Sequence, residues 1–114
     1  MKVIIKRPCD QFGEETTIPN TLRALQEAVG GYIETVTLDN GVVLICNEEG
    51  RIRDMPYNFS ALCSAHAYDA YVEWREALYG TVIACGVEGD VFAEVADIPI
   101  DFNEWKALLC EWGN

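Results

Sequence analysis

The chain has 114 residues, half of them apolar, and its 19 Asp+Glu against 8 Lys+Arg give a formal net charge of −11. That length fits one α+β domain over 1–114 with apolar material enough for a core. The acidic balance excludes direct nucleic-acid binding, which needs clustered Lys and Arg, and docking on an anionic membrane, while no apolar run approaches the ~20 residues of a membrane helix.

Val3-Ile4-Ile5 is a β-branched run, and residues 2–7 are expected to form a strand. Lys6 and Arg7 interrupt the run too soon for a secretory signal, so the expected location is the cytoplasm. Pro8 and Gly13 bracket a turn, after which residues 15–18 return antiparallel until Pro19 stops the ladder. Asn20 or Thr21 caps a helix with Leu22, Leu25, Gln26 and Val29 on one stripe, and Gly30-Gly31 ends it.

Residues 32–38 alternate with period two, as a strand with one wet face does. Asp39-Asn40-Gly41 marks a hairpin, and Val42-Val43-Leu44-Ile45-Cys46 should be a strand buried on both faces. Asn47-Glu48-Glu49-Gly50 forms a turn ahead of Arg51-Ile52-Arg53, and residues 55–58 form a loop. From Ser60 to Tyr79 the pattern reads as a helix, because Ala67, Tyr71, Trp74 and Leu78 recur at helical spacing. Gly80 stops it. Residues 81–85 form a buried strand ended by Gly86, Glu88-Gly89-Asp90 turns, and residues 91–95 continue as a short strand. Asp101 and Glu104 make a capping box for a last helix striped by Phe102, Trp105, Leu108 or Leu109, and Trp112. The expected architecture is a small, mostly antiparallel sheet with two or three helices on one face. The alternative is a β-rich roll with peripheral helices.

Five cysteines, Cys9, Cys46, Cys63, Cys85 and Cys110, show no metal-ligand or disulfide spacing and read as buried small hydrophobes. On a helix, Cys63 and the single histidine, His66, would share a face. A thiolate–imidazole enzyme is the weakest of the functional readings, because no orienting acid is marked. Neither a catalytic set, a metal site nor a cofactor is expected.

The acids are unevenly spread: residues 76–114 hold eight, against Lys106 as their one base. Such a surface suits solubility, or a basic protein partner such as a nucleic-acid-binding enzyme. A second candidate partner is a small nucleotide. It would sit in a pocket of Tyr32, Asn47, Asn58 and the aromatics after it, such as Tyr71 or Trp74, with Arg51 and Arg53 near its phosphates; Glu48 and Glu49 of the adjoining turn are further candidates for ligand or partner binding. Twelve aromatics in so short a chain also point to a homodimer, with the surplus offered from the helix of Tyr68 to Trp74 or from the last helix.

Ile18-Pro19-Asn20-Thr21-Leu22-x-Ala24-Leu25-Gln26-x-x-Val29-Gly30-Gly31-Tyr32-Ile33-Glu34, then Ile45-Cys46-Asn47-Glu48-Glu49-Gly50, Pro56-x-Asn58 and Gly80-Thr81-Val82-Ile83 together resemble the family called domain of unknown function 3846. The likeness covers residues 1–58 and 80–86. It implies an accessory protein of a phage, plasmid or conjugative element, with no established activity. The expected role is a non-enzymatic protein that antagonises a host defence system by binding a host protein, or one that sequesters a nucleotide.

Overall fold

The structure, a computed structural model, describes residues 1–38, 40–68, 70–88 and 94–114, with His66 and Ala67 described by backbone alone. Strand β1 (Lys2–Lys6) pairs antiparallel with β2 (Glu14–Thr17). Helix α1 (Leu22–Val29) follows, then the hairpin of β3 (Ile33–Thr37) and β4 (Val43–Asn47), in register from Ile33 opposite Asn47 to Thr37 opposite Val43. Asp39, within the expected hairpin turn, lies outside the described residues. Strands β5 (Tyr57–Ala67) and β6 (Ala70–Tyr79) come next, then β7 (Val82–Glu88), β8 (Glu94–Ala96) and α2 (Phe102–Glu111). The main sheet runs β2-β1-β7-β4-β3, with β8 beside the end of β7, and its pairings are antiparallel. Strands β5 and β6 form a sheet of their own.

Alternation along the strands gives the main sheet two apolar faces. Val3, Ile5, Val43, Ile45, Ile83 and Cys85 cluster with Leu25 and Val29 of α1. Ile4, Val42, Leu44, Cys46, Val82 and Ala84 cluster instead with Phe59, Ala61, Cys63, Leu78 and with Trp105, Leu109 and Trp112. The α+β class and the antiparallel sheet are therefore as expected, but α1 and α2 belong to opposite layers. A sheet buried on both faces needs a cover on each, and this chain uses one helix per side.

The helix ends follow the sequence signals. Thr21 Oγ1 accepts from the Ala24 amide at 3.1 Å, and Gly30 closes α1 at φ 79°. Asp101 and Glu104 form the capping box of α2. Its Trp105 is fully buried, edge-on to Phe59 and Trp112, with the indole N–H donating to the Phe12 carbonyl at 2.8 Å.

The principal correction concerns 60–79, which is an antiparallel hairpin and not a helix. Its residues include Ala, Glu, Trp and Leu, which suit a helix locally. Pairing and packing override that preference. Phe59, Ala61 and Cys63 alternate with Ser60, Leu62 and Ser64, and only the first set is buried in the core. Tyr57 and Asn58, expected in a loop, already belong to β5. The strand β7 does not end at Gly86 but passes through it. A Cβ there would meet the Asp97 carbonyl oxygen at 2.2 Å, so glycine serves a close crossing and not a stop. The expected strand over 91–95 is described only from Glu94, and the turn residues 89 and 90 lie outside the described residues. The cysteines divide: Cys46, Cys63 and Cys85 are buried as expected, while Cys9 and Cys110 are exposed.

Candidate functional site

The turn after β4 is organised by Asn47. Its carboxamide is buried and donates to the Val29 carbonyl at the end of α1, at 3.1 Å, while its oxygen accepts from the Glu49 amide at 2.8 Å. A side chain on Gly31 would have its Cβ 2.8 Å from that carboxamide nitrogen. Gly30 supplies the left-handed cap, and Gly31 supplies the space through which β4 fastens the helix end. The Glu48 amide donates to the Tyr32 carbonyl at 2.9 Å, and Glu49 pairs with Arg53 at 3.0 Å across one turn.

Two clefts of about 280 Å³ each flank this turn. Tyr32, Asn47, Glu49 and Arg53 line one, with Gln26 and the two glycines. Glu48 and Arg51 line the other, with Glu34, Cys46, Glu76 and Tyr79. Arg51 and Arg53 thus belong to different clefts. Arg53 is committed to Glu49, and Arg51 lies over the Tyr79 ring at 5.3 Å. In the second cleft the Cys46 thiol is pushed up to about 11, by burial first and by the Glu34 and Glu76 carboxylates after it.

Asn58 joins neither cleft. It is the extra residue of a register shift in β5, and its carboxamide donates to the Lys6 and Gly80 carbonyls, both at 2.8 Å. Its oxygen accepts from the buried Lys6 ammonium at 2.6 Å. Burial lowers the Lys6 pKa, against the opposing charge of Asp10. Asn58 therefore locks the root of the β5–β6 hairpin to β1.

Tyr71 and Trp74 stand on that hairpin, on opposite faces, away from both clefts. Its root is held firmly. Phe59 stacks on Trp112 with ring centroids 6.0 Å apart, Asn114 bonds both backbone groups of Ser60, and the Arg75 guanidinium donates to the Trp112 carbonyl. Beyond the root the arm is open, and Leu62, Tyr68, Tyr71, Val72 and Trp74 are exposed. Leu62, Val72 and Tyr68 at the tip are additions to the candidate residues. The period-two alternation of 59–65 was the signal for Leu62, which falls on the face of Ser60 and Ser64. Tyr68 adopts φ 50°, a left-handed conformation unfavourable for a bulky side chain, and its ring is fully exposed. On a strand, positions three apart do not share a face. The helical premise for joining Cys63 and His66 is thus absent, and the His66 side chain lies outside the described residues.

Among the described residues, no group of three or more His, Cys, Asp or Glu side chains is placed to hold a metal ion. No helix there is long and apolar enough to cross a membrane.

A family model described as Domain of unknown function (DUF3846) matches residues 1–106, and the chain belongs to that family. No curated protein and no solved structure matches the chain.

Proposed function

We propose that this member of the DUF3846 family is a non-enzymatic binding protein whose recognition element is the open part of the β5–β6 arm, and whose partner is a protein with a basic surface. The observation that carries the proposal is Tyr68. An aromatic held in the left-handed region costs about 1–2 kcal/mol that glycine would avoid. Here the ring is fully exposed, and among the described residues no ring contact or hydrogen bond holds it. Strain of this kind at an exposed tip supports a role outside the fold. Tyr71 and Leu62 extend the surface, and the anchored root presents it already ordered, which lowers the entropic cost of docking. The net charge of −11 suits a basic partner, and Glu73 shares the face of Tyr71 and Leu62.

A host defence protein is the partner class that fits the family resemblance. The nucleotide reading has less support, because the two arginines it requires line separate clefts and one is already paired.

The test compares the tagged chain with a Tyr68→Asn, Tyr71→Ser variant, both recovered from a bacterial host. Each aromatic anchor is worth more than ~1 kcal/mol, so the variant should lose the captured basic protein by roughly tenfold or more. Its circular dichroism and urea midpoint should show an intact fold. Undiminished capture by the variant refutes the proposal, as does loss of capture by Arg51→Ala, Arg53→Ala in its place.

A further inference from the structure

The face of the arm that covers the core does not stop where the core stops. Phe59, Ala61 and Cys63 of β5 are buried, and Ala65 continues their row into solvent. Across the ladder, Leu78 opposite Phe59 is buried, whereas Trp74 opposite Cys63 and Val72 opposite Ala65 are 42% and 44% exposed. Paired residues share a face of the hairpin. Cys63, Ala65, Ala70, Val72 and Trp74 therefore form one uncharged stripe, with Glu76 as its nearest described acid toward the root. Glu73 and Arg75 alternate to the other face.

We propose that a second copy of this chain covers that stripe, arm against arm across a two-fold axis. Three features favour a copy over a different protein. The first is area. A large aromatic covers ~150–250 Å² in full, so Trp74 and Val72, each less than half exposed, and the exposed Ala65 and Ala70 offer roughly 300 Å² per copy. Two facing arms then bury roughly 600 Å², the size of a weak contact that forms between copies only in concentrated protein. The second is charge. A chain of net charge −11 can approach its own image only where the contact carries no charge, and the stripe meets that condition with the acids at its margin. The third is shape. A two-fold contact must be self-complementary, and the bulky Trp74 and the small Ala65 and Ala70 lie on the same stripe, so the indole of each copy fits over the alanines of the other. The stacked hairpins form a four-stranded sandwich, which a lone two-stranded ribbon in water needs for stability. This inference concerns the face opposite Tyr71 and stands apart from the partner reading.

Light scattering of the full chain at tens of micromolar should give a dimer, more populated in high salt than in low because salt screens the acids. Val72→Glu, which sets a carboxylate at an already exposed position, should give a monomer with unchanged circular dichroism. Acrylamide quenching needs no variant. Trp105 and Trp112 are buried, so the accessible indole is Trp74, and it should be shielded in concentrated protein and quenched on dilution. A wild-type monomer at both salts overturns the proposal, as do a Val72→Glu chain as dimeric as wild type, quenching independent of concentration, or a different protein found on the stripe.

Discussion

Replacing Asn47 by alanine removes the carboxamide that joins α1 to β4. Two hydrogen bonds disappear, to the Val29 carbonyl and from the Glu49 amide, in a site that is buried. Removing one partner of a buried bond costs about 1–3 kcal/mol for the group left behind, and the Val29 carbonyl and Glu49 amide are two such groups, so the loss should be about 3 kcal/mol. For a domain near 100 residues that lowers the melting temperature by roughly 12 °C or more. Gly31→Ala probes the same contact from the other side. Its Cβ would stand 2.8 Å from the Asn47 carboxamide nitrogen, an overlap that costs about 1–3 kcal/mol. In an Asn47→Ala background that nitrogen is gone, and Gly31→Ala should become nearly neutral. Urea unfolding of the four proteins, followed by circular dichroism, gives the coupling directly, with about 1 kcal/mol or more expected. If the two losses add to within about 0.5 kcal/mol, the pair does not touch and the account of the glycine pair is wrong.

Tyr68→Gly should stabilise the fold by about 1 kcal/mol by relieving the left-handed strain, and a lower urea midpoint would show that the strain is not there. Trp105→Ala, which empties the fully buried centre of the α2 layer and strands the Phe12 carbonyl, should cost about 3–5 kcal/mol by the same urea titration. Cys46 and Cys85 are raised from 9.0 to about 11, chiefly by burial, so the folded state holds protons that the unfolded chain releases. Their contribution is whole below pH 9 and is lost as pH rises through about 11, so the urea midpoint should fall across that interval, and less steeply in Cys46→Ala, Cys85→Ala. Alkylation of the native protein near neutral pH should reach Cys9 and Cys110 and spare these two.

The parts of the fold legible in the sequence are those set by neighbours along the chain. Thr21 with Gly30, Asp101 with Glu104, and the alternation of Ile33 to Thr37 each act within a few residues, and those elements stand where their signals put them. The arm is different. Whether 60–79 is helix or hairpin depends on Cys63 finding Trp74 and on Phe59 stacking against Trp112, contacts that local propensity does not carry. The spacing of Tyr71, Trp74 and Leu78 fits a helical stripe, yet on the strand it divides between two faces. The split of helices between layers was hidden for a similar reason, since a stripe shows that a helix is covered and not by which side of a sheet. Of the candidate site, Tyr32, Asn47, Glu49 and Arg53 came together because one helix end and one turn adjoin. The structural role of Asn58 is not legible in the sequence, because the groups its carboxamide bonds, on Lys6 and Gly80, lie 52 and 22 residues away along the chain. The left-handed backbone of Tyr68 left no trace in the sequence, because positive φ is the habit of Gly, Asn and Asp and not of tyrosine.

The central claim, that the arm tip is where a protein partner docks, is tested most directly by a photo-crosslinking amino acid placed in turn at Tyr68, Tyr32 and Leu22, all exposed. Irradiated in a bacterial host, the chain carrying it at position 68 should form an adduct with a basic protein, and the chains carrying it at 32 and 22 should not. An adduct from position 32 or 22 but not from 68, or from none of the three, would contradict the account.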